Sequence, residues 1–225
     1  TAMAALAESV KQAGLDPKLQ ARLSLVQTDV TGVNDVFLQR AGAALALPDE
    51  ADVYAALLQL LHDYRADQPP RLFPESAAEG QPDFACSSMV LSQLATPLTL
   101  YVQQQFAQRF PASQRARAHE FQIALGQFTH RVQLAHVRLL LAVAPCIALT
   151  SDVADQTTAL DARGAVVAAS EWLALTGAPS LDALVPFQLA RTVLRGDWQW
   201  RYLVPTCSKP RGHSLLVACI VAERS

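Results

Sequence analysis

The alternation of apolar and polar positions divides this chain into three stretches. From Ser113 to Ala144 runs the longest helix signal in the sequence, with no proline between Arg115 and Ala144 and Ser113 placed to cap its start. Phe121, Leu125, Phe128, Val132, Ala135 and Leu139 follow at steps of 4, 3, 4, 3 and 4, the heptad spacing of a helix that zips against a second copy of itself. Just upstream, the pattern predicts a short strand at Leu98–Val102, then a glutamine-rich connection closed by Arg109–Pro111.

Before this lies a helix-rich region. Amphipathic spacing predicts a helix ended by Gly14, with Leu6 and Val10 inward, and a second from Asp16–Pro17 through Leu19, Leu23, Val26 and Val30. After Gly32 helix resumes at Asn34 through Phe37 and Ala41, and Pro48–Ala51 opens another, with acids in its first turn and Val53, Leu57, Leu60, Leu61 and Tyr64 as its buried stripe. Prolines 69, 70, 74 and 82 with Gly80 make 66–83 a loop, and Phe84–Leu94 fits a strand or the start of a helix ending before Pro97, with strand the preferred reading.

Beyond Pro145 the rhythm changes. Cys146–Asp155 reads as a connector, and 157–169 as a hairpin turning at Gly164. A short helix over Glu171–Thr176 ends at Gly177, and another starts at Ser180 and reaches Val193. Trp198, Trp200, Tyr202 and Val204 alternate with polar residues as a half-exposed strand; 208–212, including His213 beside it, forms a turn, and Leu215–Val221 an apolar strand. The expectation is an α+β chain: a helix-rich domain over 1–144 with a dimerising exit helix, a connector over 145–156, and a small antiparallel-sheet domain over 157–225.

Composition narrows the function classes. The apolar fraction is 51% and the mean hydropathy +0.17, which favours an oligomeric interface. No apolar run reaches the roughly 18 residues of a membrane span, and the N-terminus lacks the basic-then-apolar order of a signal peptide, so a cytoplasmic protein is expected. The chain begins without methionine, as a fragment or cleaved product would. A net charge of −2 argues against direct nucleic-acid binding by this segment. The four cysteines, Cys86, Cys146, Cys207 and Cys219, show no zinc spacing and read as buried free thiols.

No catalytic constellation emerges. His119, His130 and His136 lie on the long helix, but none are four apart as two ligands of one metal require. His130 and His136 face different ways; His119 and His130 share a face roughly 16 Å apart. Asp49, Glu50, Asp52, Glu171 and Asp182 are explained as first-turn acids. Ser87 and Ser88 lack a nucleophile elbow. The row of Trp198, Trp200 and Tyr202 reads as packing rather than a ligand face.

Two stretches resemble known modules. The leading helices (Phe37–Leu45, then Asp49–Tyr64), the strand at Pro97–Tyr101 and the long exit helix resemble a GAF domain shortened in its middle. Leu160–Ser170 resembles the opening hairpin of a PAS domain, Trp172–Gly177 its first helix, and the last two strands a PAS sheet edge. The resemblance implies a non-catalytic sensory module of a bacterial signal-transduction or transcription-regulatory protein, dimeric, binding a small ligand or an effector protein; it names no ligand and no cofactor. An alternative comes from Ser92–Thr99, which is similar to the phosphoacceptor box of histidine kinases with serine in the histidine's place. That implies a degenerate dimerisation hairpin serving as a protein-interaction module, helical throughout 84–110.

Overall fold

The computed structural model describes residues 8, 14, 18, 34–63, 82–88, 91, 93–111, 114–161, 163, 166–175, 180–185, 190–203 and 211–225. Expectations for the helices carrying Leu6 to Val30, for Tyr64, for the loop from Ala66, for Ser92 and the Ser113 cap, and for the turns at Gly164, Gly177 and Ser208 lie outside these residues. Gly14 has a φ of 65°, the left-handed conformation glycine adopts where a helix stops.

Helix α1 spans Asn34–Leu45 and α2 Glu50–Asp63. Asp49 starts α2: its Oδ1 accepts the N–H of Ala51 at 2.7 Å and of Asp52 at 3.3 Å. This satisfies donors that a helix start otherwise leaves orphaned. Val53, Tyr54, Leu57 and Leu61 form the buried stripe of α2.

Helix α3 covers Thr96–Arg109 and corrects the expected strand at Leu98–Val102. Pro97 sits in its first turn, where a missing N–H costs nothing. Leu98, Val102 and Phe106, four apart, are its buried residues, whereas Leu100, which a strand would have placed on the same face as Leu98, is 46% exposed. The glutamines at 103–105, good helix formers, continue the helix rather than ending an element.

Helix α4, Gln114–Val143, is 30 residues long. Tyr54 donates to Glu120 Oε2 at 2.8 Å near the start of both α2 and α4, and Arg131 donates to the carbonyl of Leu61 farther along, so these two helices run parallel. Arg109 donates to the carbonyls of Leu45 and Leu47, which ties the end of α3 to the end of α1. The four helices make a bundle with two aromatic layers. Phe37 stacks on Phe128 with centroids 4.7 Å apart; Tyr54, Phe106 and Phe121 lie 5.7–6.0 Å from one another.

The expected dimer seam is therefore corrected. Phe121, Leu125, Phe128 and Val132 are at most 6% exposed within one chain's core. Ala135 is exposed and Leu139 half-buried. The heptad spacing is met by α1, α2 and α3 of the same chain, because a bundle and a coiled coil use the same knobs-into-holes packing.

Among the described residues there are six strands: β1 (Phe84–Ser88), β2 (Cys146–Leu160), β3 (Val166–Ala169), β4 (Leu173–Ala174), β5 (Ala190–Leu203) and β6 (Arg211–Arg224). The sheet runs β1-β2-β6-β5, with β3 and β4 also on β2. Strand β1 pairs in parallel with β2, Phe84↔Cys146 to Ser88↔Thr150; α3 and α4 supply the crossover that parallel pairing needs. The remaining pairs are antiparallel.

The α+β class holds, and so does the 157–169 hairpin, in the register Thr158↔Ala169 and Ala159↔Ala168. The connector over 145–156 is corrected: from Cys146 it is the central strand of the sheet, and Ile147 and Leu149 are fully buried. The helix expected over Glu171–Thr176 is absent from 171–175, where Leu173–Ala174 is the small strand β4. Helix α5, Leu181–Leu184, ends well before Val193, which lies in β5; the β-branched pair Thr192 and Val193 suits a strand better than a helix. His213 belongs to β6 rather than to a turn. Ile147, Leu149, Ile220 and Ala222 share one core with the bundle and with Leu181 and Leu184 of α5.

Phe128→Ala should lower the unfolding free energy by about 3–5 kcal/mol in urea titrations, while Ile123→Ala, at an exposed position of the same helix, should cost no more than about 0.5 kcal/mol. The difference should be the same at low and high protein concentration, because the seam is filled within one chain.

Candidate functional site

An open cleft of about 370 Å³ lies where α5 crosses the sheet. Side chains two apart on a strand share a face. The register Arg195↔Ile220 and Asp197↔Ala218 therefore sets Arg195 and Asp197 of β5 on the face that carries Ala218 and Ile220. Leu181 at the start of α5 closes one side of the cleft. Val153 closes another; it is the extra residue where the β2–β6 register slips between Asp152 and Ala154. Val153 follows Leu149 and Ser151, the partners of Ile220 and Ala218, by alternate residues, so it falls on the same face as the cleft floor. The result is an apolar floor with a cation and an anion at one rim, on the scale of a small-molecule site.

Cys219 also lines the cleft. Burial pushes its thiol above the ordinary range, and the charge of Cys86 adds to the rise. The thiolate is the reactive form, so Cys219 is a poor nucleophile at neutral pH. Cys86 is exposed, which corrects its reading as a buried thiol, and Cys146 is half-buried; both are free.

Beneath the sheet a buried polar junction ties α4 to β1. Ser87 Oγ and His136 Nε2 are 3.0 Å apart, and each residue is 5% exposed. One turn earlier Gln133 donates to the carbonyl of Leu91 at 3.0 Å. A serine within hydrogen-bond reach of a histidine is the geometry of a nucleophile and its base. Here both groups are sunk between helix and strand, and the bond satisfies two polar groups that burial would otherwise penalise.

His136 sits four residues after Val132, on the inward face of α4. That spacing was legible, whereas its strand partner 49 residues upstream was not. His119 and His130 are exposed on the same helix. His213 Nδ1 lies 3.2 Å from Asp155 Oδ2 across β2 and β6, a pair no spacing announced.

The six residues of the expected dimer seam are brought together only in part, as bundle core. Trp198 is 45% exposed on β5, so the packing read for the aromatic row does not cover it. Among the described residues no group of three His, Cys, Asp or Glu is disposed to hold a metal ion, and no helix is long and apolar enough to cross a membrane. Compared with known proteins, the chain matches no family model, no curated protein and no solved structure.

Two measurements check this geometry. Iodoacetamide should modify Cys86 before Cys219, with the Cys219 rate climbing as pH rises toward its elevated pKa; peptide mass mapping reads both sites. Ser87→Ala should cost about 1–3 kcal/mol in urea unfolding, because a buried ring nitrogen loses its hydroxyl partner.

Proposed function

We propose that the chain is a non-catalytic sensory or regulatory module of a bacterial signalling or transcription-regulatory protein. Its sheet cleft takes a small ligand, and its long helix passes the bound state to an effector. One observation carries this reading: the cleft opens beside β2, and β2 continues α4 across only Ala144 and Pro145. A ligand that binds one arrangement of α5 and the sheet better than another shifts the population between them. The shift reaches α4 through β2 and through the Ser87–His136 bond.

The PAS-like part of the resemblance is supported by the β2–β3 hairpin and by the pairing of β5 with β6. The GAF-like part retains its leading helices and its long exit helix, without the closing strand at Pro97–Tyr101, which is α3. The kinase-like hairpin has one point in its favour, since α3 and α4 follow each other closely. It needs helix throughout 84–110 and a free seam, and β1 and the buried seam remove both. A cytoplasmic setting belongs to this proposal.

Native mass spectrometry of the purified full chain, paired with thermal-shift screening against small carboxylates, amines, nucleotides and amphipathic acids, tests the reading. A ligand at a hundredfold excess over its Kd should raise the Tm by about 5–10 °C. Ala218→Phe, which fills the cleft from its floor, should fold and lose that shift. If no compound shifts the wild-type chain and no adduct travels with it, the ligand-sensing reading fails.

A further inference from the structure

Among the described residues, β5 is paired on one side only, with β6. A strand edge of this kind displays unsatisfied N–H and C=O groups that template another strand, so proteins shorten it or guard it with charges, proline or bulges. β5 is 14 residues long and contains no lysine or proline, its register slips lie outside 194–201, and its Arg195 and Asp197 are opposite in sign. Residues 193–199 are all exposed. Leu194 is 59% and Trp198 45% exposed, two residues on either side of Gly196 and on its face of the sheet.

Gly196 is the second observation. It is not among the glycines with positive φ, and a Cβ built on it meets nothing within 4 Å. No packing inside the chain requires a glycine there, and glycine weakens a strand interior. A strand glycine marks a bulge, a bend or the close approach of a ligand or another backbone, and no register slip falls at Gly196.

The segment Leu194–Trp198 is complementary to itself about that glycine. Two copies of one strand related by a twofold axis through the sheet pair antiparallel about a single residue, which then faces its own copy. Centred on Arg195, the register sets arginine against arginine; centred on Asp197, it sets aspartate against aspartate. Centred on Gly196, it sets Arg195 against the partner's Asp197 and Leu194 against the partner's Trp198. Opposite charges and aromatic–aliphatic pairs directly across a ladder stabilise it, and like charges destabilise it. Register slips at Thr192/Leu194 and Arg201/Leu203 bound the regular stretch that includes these residues.

We propose that two copies of the chain join edge to edge by antiparallel pairing of Leu194–Trp198, with the twofold axis at Gly196, so that their sheets become one. Arg195 and Asp197 also line the cleft. The partner's Asp197 therefore adds a carboxylate beside Arg195 at the rim, and each cleft is completed by the other copy. The pairing stands whether or not the cleft takes a ligand.

Sedimentation velocity of the full chain across the micromolar range, with circular dichroism to confirm folding, tests it. The wild type should dimerise. Arg195→Asp and Asp197→Arg each create two like-charge contacts and should each weaken association at least about tenfold. Mixed in equal amounts, the two variants should recover a heterodimer, because every contact across the axis is again opposite in sign. A monomeric wild type, single variants as dimeric as the wild type, or a folded mixture that stays monomeric would each overturn the proposal.

Discussion

Backbone pairing along β2 is the constraint from which the rest of this structure follows. One edge of β2 is taken by β6 along nearly its whole length. The other is shared in succession by β1 at 146–150, β4 at 154–155 and β3 at 158–160. A buried strand cannot leave its N–H and C=O groups unpaired, so β2 fixes where four other strands lie. The parallel pair with β1 then dictates the crossover, and the crossover is α3 and α4. Helical bundle and sheet are thus joined by hydrogen bonding as well as by a common apolar core.

The long helix has two jobs along its length. Its first half supplies Phe121, Leu125 and Phe128 to the bundle, and farther along Gln133 bonds the carbonyl of Leu91 beyond β1 and His136 bonds Ser87 of β1. Pro145 then separates helix from strand, and its carbonyl accepts the N–H of Arg224 at 2.8 Å, while the Arg224 side chain donates to the carbonyl of Leu141 at 3.2 Å. The joint between α4 and β2 is therefore held by the end of β6. These contacts tie the end of the last strand to the end of the long helix.

The cleft and the free edge of β5 occupy the same end of the sheet. Arg195 and Asp197 belong to both. Under the proposed function and the proposed pairing, ligand contacts and oligomeric contacts would share one strand, which would link the two equilibria by mass action. The buried junction at Ser87 and His136 lies on β1, at the far side of β2 and β6 from that edge.

Local pattern in the sequence was enough to determine where periodicity and capping agree: α1 around Phe37 and Ala41, α2 with its Asp49 start and its Val53–Leu57–Leu61 stripe, the length of α4, the 157–169 hairpin, and the strands at Trp198 and Leu215–Val221. In each, the residues that decide the conformation are neighbours in the chain. What only tertiary structure decided were the matters of partner. A five-residue apolar alternation at Leu98–Val102 fits a strand or a helix, and three helices waiting to bury Leu98, Val102 and Phe106 made it a helix. The heptad on α4 is silent about whether its holes lie in another copy or in the same chain. Cys146–Asp155 looked like a connector because its pairing residues, Phe84–Ser88 and Glu223 back to Leu215, are far away in sequence. Spacing reports which face is apolar; only the folded chain reports what covers it.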